Sequence, residues 1–324
     1  MRSPRTVTEL MCHLKNDCNI QIEGTEHEKQ LISLGYYHGY KGYRFARTAS
    51  NRLPYHSFDE IVAVIEYDSN IKAALFPVIM FIETATKNIV CNESLVGLDD
   101  CTYDAIFKER MTDNSSDRKI QAARLKLRND IYSQLSSKYH DEDKKDNKMI
   151  THFINRGEDI PLWAIFEMFY MGQLATYFRC LNTTVRESIM KKMNLFDASL
   201  DTNRNLLANM IYTIKSLRNA VAHNNVVFDT RFKDRNVNHV LKRWIENETN
   251  ISNITLYHLI DYIIIICCLL KRFDYTGLKA RVLLETLENE NEKLRNSVND
   301  GVYSMIISGN VTMKINALKR YIAE

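Results

Sequence analysis

The sequence predicts an all-α, multi-helical protein, and three observations predict it. Apolar residues recur at spacings of three and four along most of the chain, the signature of helices with one buried stripe. Only 10 glycines and 4 prolines occur in 324 residues, too few turn formers for a β-rich architecture. Helix-start patterns, a Ser or Thr three residues before a Glu, stand ahead of several periodic stretches. A hydrophobic fraction of 45% and a charged fraction of 26% are those of an ordinary globular chain with a sizeable core.

The elements follow in order. The first helix is expected from about Thr6 to Asp17. Thr25-Glu26-His27-Glu28 forms a capping box opening a second helix through Leu31 and Leu34. Gly35 to Phe45 (GYYHGYKGYRF) is glycine-punctuated, aromatic and partly basic, which reads as a loop or short hairpin. Ser57-Phe58-Asp59-Glu60 is another capping box, and periodicity then runs to about Val90, as two helices hinged near Asp68-Ser69-Asn70. From Lys108 to Arg128 there are seven Lys/Arg against three acidic residues; such a segment is an RNA groove or, more commonly, a solvated helix face. Tyr139 to Lys148 is nearly all polar and reads as an exposed linker. It sets the expected boundary between an N-terminal helical region, 1–140, with the aromatic Gly-rich loop, and a second region, 141–324, which 57–95 can join as one unit.

Pro161 opens an apolar helix, Leu162 to Tyr170, whose Trp163 and aromatic neighbours read as core. A helix of about 20 residues is expected from Asp201 to His223. Its stripe is Leu206, Met210, Ile214, Leu217 and Val221, with Asp201 or Thr202 as cap. Asn224-Asn225 ends it, because Asn tolerates the left-handed conformation. Further helices are expected at 235–248, 255–272, 276–298 and 311–323. The apolar run Tyr262 to Leu270 is too short to span a bilayer and reads as a helix buried on most sides.

Composition also excludes function classes. A net charge of +3 is not that of a generic polycation, so a nucleic-acid surface has to come from local clustering. The 7 cysteines include no C-x-x-C pair and no Cys/His set with zinc spacing. Reduced thiols, no metal and no cofactor are expected. The first 17 residues lack an apolar signal core, so a cytoplasmic protein with no membrane segment is expected.

Chemistry concentrates in Arg218-Asn219-Ala220-Val221-Ala222-His223, an R-N-x-x-x-H pattern at the end of the Asp201–His223 helix. An arginine stays charged and holds phosphate, whereas a histidine moves a proton near neutral pH. RNA carries its own nucleophile, the 2′-hydroxyl. A neutral imidazole takes its proton and an imidazolium protonates the leaving 5′-oxygen. Arg218 is placed to stabilise the pentacoordinate phosphorus, and Asn219 to orient the histidine or bind a phosphate oxygen. The bland alternative stands beside this reading, since R-x4-H arises often by chance and a lone helical histidine is usually structural. Asn219 and His223 share a helix face. Arg218 and His223 diverge by about 140° at 100° per residue, so one helix does not aim both at one phosphate unless a second copy supplies the missing group.

The motif in an all-helical chain resembles the HEPN superfamily of metal-independent ribonucleases. More narrowly, the chain is similar to the Abi-like abortive-infection family of bacterial phage defence (the AbiD/AbiF group). Leu31 to Tyr37 with Gly42 to Phe45 resembles that family's L-x-x-x-G-Y-Y…Y-x-F block, and Phe81 to Lys87 its I-E-x-x-x-R/K helix. Pro161 to Trp163 through Met171 to Leu174 resembles its P-x-W…F-G-x-L helix. Lys87 stands where Arg is expected, and a lysine serves only if it meets phosphate without bidentate contacts. The resemblance implies a HEPN-like bundle with an N-terminal helical subdomain, an anti-phage effector or toxin, and metal-independent cleavage of RNA. It also implies a homodimer that faces two motifs into one cleft, and RNA as partner, both as substrate and as a structured non-coding RNA.

The remaining candidates keep two readings each. Lys41 and Arg44 hold phosphates while the tyrosines around them stack bases, or the block closes the N-terminal subdomain. Glu83 orients Arg218 or His223, or pairs with Lys87 at i,i+4. Arg231, Lys233 and Arg235 follow the motif closely enough to favour RNA contact. The competing class is a non-catalytic RNA-binding protein, regulated by a structured RNA, that uses R-N-x-x-x-H only as a phosphate site. A weaker third reading is a regulatory scaffold held by a protein partner.

Overall fold

The computed structural model describes residues 5–111, 117–140, 148–234 and 236–324. Among these residues the regular structure is helical, with only isolated β-bridges besides, as the periodicity predicts. The chain divides into two compact units. The first comprises residues up to Ile79, Ser216–Val237 and Ile245–Glu324; the second comprises Met80–Lys215 and Asn238–Trp244. Residue 140, the last of the expected N-terminal region, falls inside the second unit.

The first unit opens with α1 (Val7–Cys18), capped by Thr6 in a true capping box with Glu9 and ended by left-handed Asn19. Next comes α2 (Gly24–Leu34), which departs from the expected Thr25 box. It starts at Gly24 after Glu23, with no side-chain cap; instead His27 Nδ1 accepts the Glu23 amide at 3.1 Å. The expected loop at Gly35–Phe45 is corrected too, because Gly35–Lys41 is a π-helical segment. Gly35 admits it with φ +74, and Gly39 lies so close to Leu34 that a Cβ would sit 3.1 Å from the Leu34 carbonyl oxygen. Aromatic periodicity that misses 3.6 therefore marks a wider helix here rather than a break.

The long helix α3 (Phe58–Leu95) runs 38 residues without interruption, beginning in unit one and ending in unit two. Its capping box is as expected: the Glu60 amide meets Ser57 Oγ and Glu60 Oε2 takes the Ser57 amide. The expected hinge at Asp68-Ser69-Asn70 is absent. Asp68 is buried with tertiary partners, so its carboxylate does not compete for its own backbone, and helix propensity is overridden. By length and hydropathy α3 alone among the described helices is able to cross a membrane. Every window of about 20 residues in it, the length of a span, includes at least one of Asp68, Lys72, Glu83 or Lys87.

The second unit holds the rest of α3 with α4 (Tyr103–Glu109), α5 (Arg118–His140), α6 (Lys148–Asn155), α7 (Leu162–Met168), α8 (Met171–Cys180) and α9 (Thr183–Lys192). The start of α10 (Leu206–Ala222) and of α11 (His239–Thr249) complete it. In the basic segment, Arg124 and Arg128 lie over the Phe107 ring at 3.9 and 4.7 Å, and Arg124 donates to the Phe107 carbonyl. These side chains fasten α5 to α4 rather than face outward. Phe166, Phe169 and Tyr177 form a buried aromatic cluster with centroid spacings of 4.8 to 5.7 Å. Trp163 does not belong to it: it is 48% exposed and only edges onto Phe153. Trp163 is the second residue of the helix that runs from Leu162 to Met168, on its exposed face. Of the expected linker, 141–147 lies outside the described residues; Tyr139 and His140 belong to α5.

The first unit finishes with α12 (Leu259–Phe273), α13 (Leu278–Ser297), α14 (Asp300–Ile306) and α15 (Val311–Ala323). Residues Leu259 to Leu270 are all buried, as the apolar run predicts, and α12 packs on α13 and α15. Inside this core Asp261 (0% exposed) meets Lys314 (1% exposed) at 2.6 Å. Asp261 also accepts the Thr255 and Leu256 amides, and Lys314 donates to the Asn253 carbonyl. One buried pair thus shapes the loop before α12.

Removing one partner of a buried, hydrogen-bonded pair costs about 3–5 kcal/mol, whereas an exposed pair contributes under about 1 kcal/mol. Urea unfolding should therefore show Lys314→Ala strongly destabilised and Lys319→Ala, which breaks the surface contact to Glu288, almost unchanged. Equal losses would show that Asp261–Lys314 is not the anchor of this core.

Candidate active site at the end of a buried helix

The helix that carries the motif is held at both ends. Its first amide, Leu206, donates to the buried Asp201 carboxylate at 2.7 Å. The helix starts later than the pattern suggests, because Asp201 reaches it across the turn that precedes it. Leu206, Met210, Ile214, Leu217 and Val221 are all buried, so the expected stripe is the observed one.

At the other end Asn224 is left-handed, φ 53. Asn225 donates to the Ala220 carbonyl at 2.8 Å and Asn224 to Val221 at 3.3 Å, the paired bonds of a Schellman cap. That cap ends the helix directly after the histidine. His223 is the last residue before the turn, its amide still bonded to Asn219 at 3.0 Å, and its side chain is exposed. One turn back, Arg218 and Asn219 are half-buried, and Arg218 Nη1 donates to Asn219 Oδ1 at 3.4 Å. The three motif side chains thus line the end of one helix.

Two buried carboxylates fix the chain after the cap. Asp68 Oδ1 accepts the Val227 and Phe228 amides, both at 2.8 Å. Its Oδ2 accepts the Tyr43 hydroxyl at 2.9 Å and pairs with Lys72 at 3.0 Å. Lys72 in turn donates to Asn224 Oδ1 at 2.6 Å. Burial, and then the Asp68 charge, push the Tyr43 phenol far above its ordinary range, so it stays a donor. Asp229 accepts the Arg47 amide at 2.5 Å and a forked contact from Arg231. The sequence pattern gave Asp68, Lys72, Tyr43, Asp229 and Arg47 no role at the site. The available signal was a charged pair at i,i+4 inside an apolar helix, at 68 and 72.

The structure places the other candidates as follows. Arg231 uses its guanidinium internally: besides Asp229 it donates to the Gly42 and Phe45 carbonyls, each at 2.7 Å. It braces a loop and does not stand free for phosphate. Lys233 reaches the Thr255 carbonyl and sits 3.4 Å over the Tyr257 ring. Arg235 lies outside the described residues. Lys41 is 5.3 Å from the rings of both Tyr36 and Tyr37, and Arg44 flanks Phe45 at 5.9 Å. Glu83 and Lys87 belong to the second unit and pair at 3.1 Å, so the intrahelical reading is realised. Among the described residues no three His, Cys, Asp or Glu side chains gather as a metal ion needs. Burial pushes the Cys91 and Cys180 thiols up to about 11 and Cys268 to about 12, which makes them core side chains rather than nucleophiles.

A family model described as Abi-like protein matches residues 29–229, well over half of the chain. The chain belongs to the Abi-like protein family. The match includes the π segment, all of α3 to α10 and the R-N-x-x-x-H motif, and it closes at Asp229, the second clamp. The last five described helices of this Abi-like protein lie beyond it. Neither the curated proteins nor the solved structures contain a match. Family membership points to abortive infection as the role.

Asp68→Ala leaves two amides and an ammonium without their partner, a loss of about 3–5 kcal/mol. Native-state hydrogen exchange should show the Val227 and Phe228 amides losing protection. Tyr43→Phe, which removes one hydroxyl donor worth about 1 kcal/mol, should leave those amides protected. Unchanged exchange in Asp68→Ala would discard the clamp.

Proposed function

We propose that this Abi-like protein is an abortive-infection effector that cleaves RNA without a metal ion. The observation that carries the reading is the Schellman-capped end of α10, which leaves His223 exposed beside Arg218 and Asn219. An imidazole held on a fixed backbone yet open to solvent suits proton transfer better than packing. A neutral His223 takes the 2′-OH proton, and the 2′-oxygen attacks phosphorus. The P–O5′ bond breaks, and the 5′-oxygen leaves with a proton from an imidazolium. Arg218 holds the extra charge at phosphorus. The products are a 2′,3′-cyclic phosphate, or a 3′-phosphate after hydrolysis, and a 5′-hydroxyl. DNA lacks the nucleophile and is inert.

The resemblance to HEPN ribonucleases supports a homodimer with two motifs around one phosphate. It also agrees with the divergence of Arg218 and His223 on one helix. Lys41, Arg44, Lys87 and Lys233 are the described cations assigned to the RNA strand, with Arg235 added from its place in the sequence. The alternative, a non-catalytic RNA-binding protein governed by a structured RNA, keeps the same surface and differs only in turnover.

His223→Ala should abolish cleavage of RNA and any growth arrest while thermal unfolding stays within about 0.5 kcal/mol, as for an exposed side chain. Cleavage by the parent protein should survive EDTA and leave cyclic or 3′-phosphate ends. A folded His223→Ala protein that still cuts, or a strict need for magnesium, would overturn the assignment. RNA binding without cutting by the parent protein would establish the non-catalytic alternative.

A further inference from the structure

The first unit contains a cleft that the motif does not use. It has two adjoining lobes of about 320 and 280 Å³. Both are lined by Cys18, Tyr40, Arg44 and Arg52; Tyr36 and Phe45 wall the first, and Pro54 and Tyr55 the second. Each lobe approaches the smallest volumes of small-molecule sites, about 300 Å³.

The lining has a particular chemistry. Two guanidinium groups face the same space, and planar forked donors match a phosphate. Arg52 donates from Nη2 to the Tyr40 hydroxyl at 3.0 Å, and its guanidinium also meets Cys18. Arg44 is half-buried, yet its guanidinium has no hydrogen-bond partner among the described residues. It rests only on the face of Phe45, at 5.9 Å. A half-buried arginine with open donors inside a cleft is poised for an anion.

The aromatic side is equally specific. Tyr36 and Tyr40 lie 5.6 Å apart at 33°, brought onto one wall by the π-helical segment. His13 meets Tyr36 edge-on at 6.2 Å. Rings beside arginines are how proteins hold unstacked bases. The one carboxylate of the lining, Asp17, is bonded to His13 Nδ1 at 2.5 Å, so the opposing charge is partly answered within the protein.

We propose that this cleft is a nucleotide-binding site, with phosphate on Arg44 and Arg52 and the base against Tyr36 and Tyr40. The ligand chemistry is a nucleoside monophosphate unit, either as a free nucleotide or as the unpaired end of an RNA strand. Arg231, the arginine bonded to Asp229, lies over the Phe45 ring at 4.6 Å. Occupancy therefore bears on the segment that follows the motif. The proposal rests on the cleft alone and stands whether or not His223 cleaves RNA.

Isothermal titration of the full-length His223→Ala protein tests it without turnover. The probes are 5′- and 3′-AMP, GMP, CMP and UMP, the matching nucleosides, and a single-stranded hexaribonucleotide. Saturable binding of a nucleotide probe is expected. It should weaken at least about tenfold for nucleosides and for Arg44→Ala or Arg52→Ala, with loss of charge-assisted contacts. Arg44→Lys should recover part of the affinity, and Lys319→Ala should change nothing. Binding of mononucleotides identifies a free nucleotide as ligand; binding of the hexamer alone identifies a strand end. No saturable binding of any probe at millimolar concentration, or binding that survives Arg44→Ala with Arg52→Ala in a protein of unchanged circular dichroism, would overturn the site.

Discussion

The arrangement around the motif depends on one buried carboxylate. Asp68 lies fully inside an apolar helix, where an unpaired charge is intolerable. It is tolerated because amides from Val227 and Phe228, the Tyr43 hydroxyl and the Lys72 ammonium all converge on it. Each of those donors is itself buried or half-buried, so the network is satisfied as a whole or fails as a whole. The consequence is positional. The chain leaving α10 has one route, past Asp68 and onto Asp229, and Lys72 fixes Asn224 at the corner. The exposed histidine is thereby followed by a backbone turn held by buried hydrogen bonds.

The same logic explains why the basic run after the motif is not a uniform RNA surface. Arg231 lies closest to His223 in sequence, yet a buried Asp229 needs a partner, and two loop carbonyls need donors. Packing takes the arginine first. Lys233 is only partly committed, to a carbonyl and a ring. Charge counted along a sequence overstates what a folded surface offers, because buried acids draw the nearest cations inward.

Periodicity made most of the fold legible. The stripe of α10, the buried α12 and the capping box at Ser57 depend on local pattern alone, and all three stand in the structure. The misreadings have different causes, one tertiary and two local. Asp68-Ser69-Asn70 has the composition of a hinge, but the carboxylate bonds elsewhere and the helix continues. Thr25 offers a cap, but His27 closes the turn first. The glycines of 35–42 suggest a loop, but two of them admit a π-helical turn. In the site, the motif was visible as residue types at a spacing. Its supports were not, because Asp68 and Asp229 lie far from their partners Tyr43 and Arg47 in sequence.

The geometry of the motif also constrains how any catalysis is organised. Residues five apart diverge by about 140° on a helix, and the Schellman turn begins only after His223, so it does not redirect that side chain. Arg218 is engaged by its neighbour Asn219, half-buried on one side of α10, while His223 projects at the end. Within one chain Arg218 and His223 therefore address different directions. The proposed phosphate site needs the two aims to converge, which a second copy of the same helix end would supply without rebuilding the backbone. On that argument the rigid mounting by Asp68 matters more than the reach of Arg218. Two helix ends form a reproducible site only if each is fixed to its own unit before they meet.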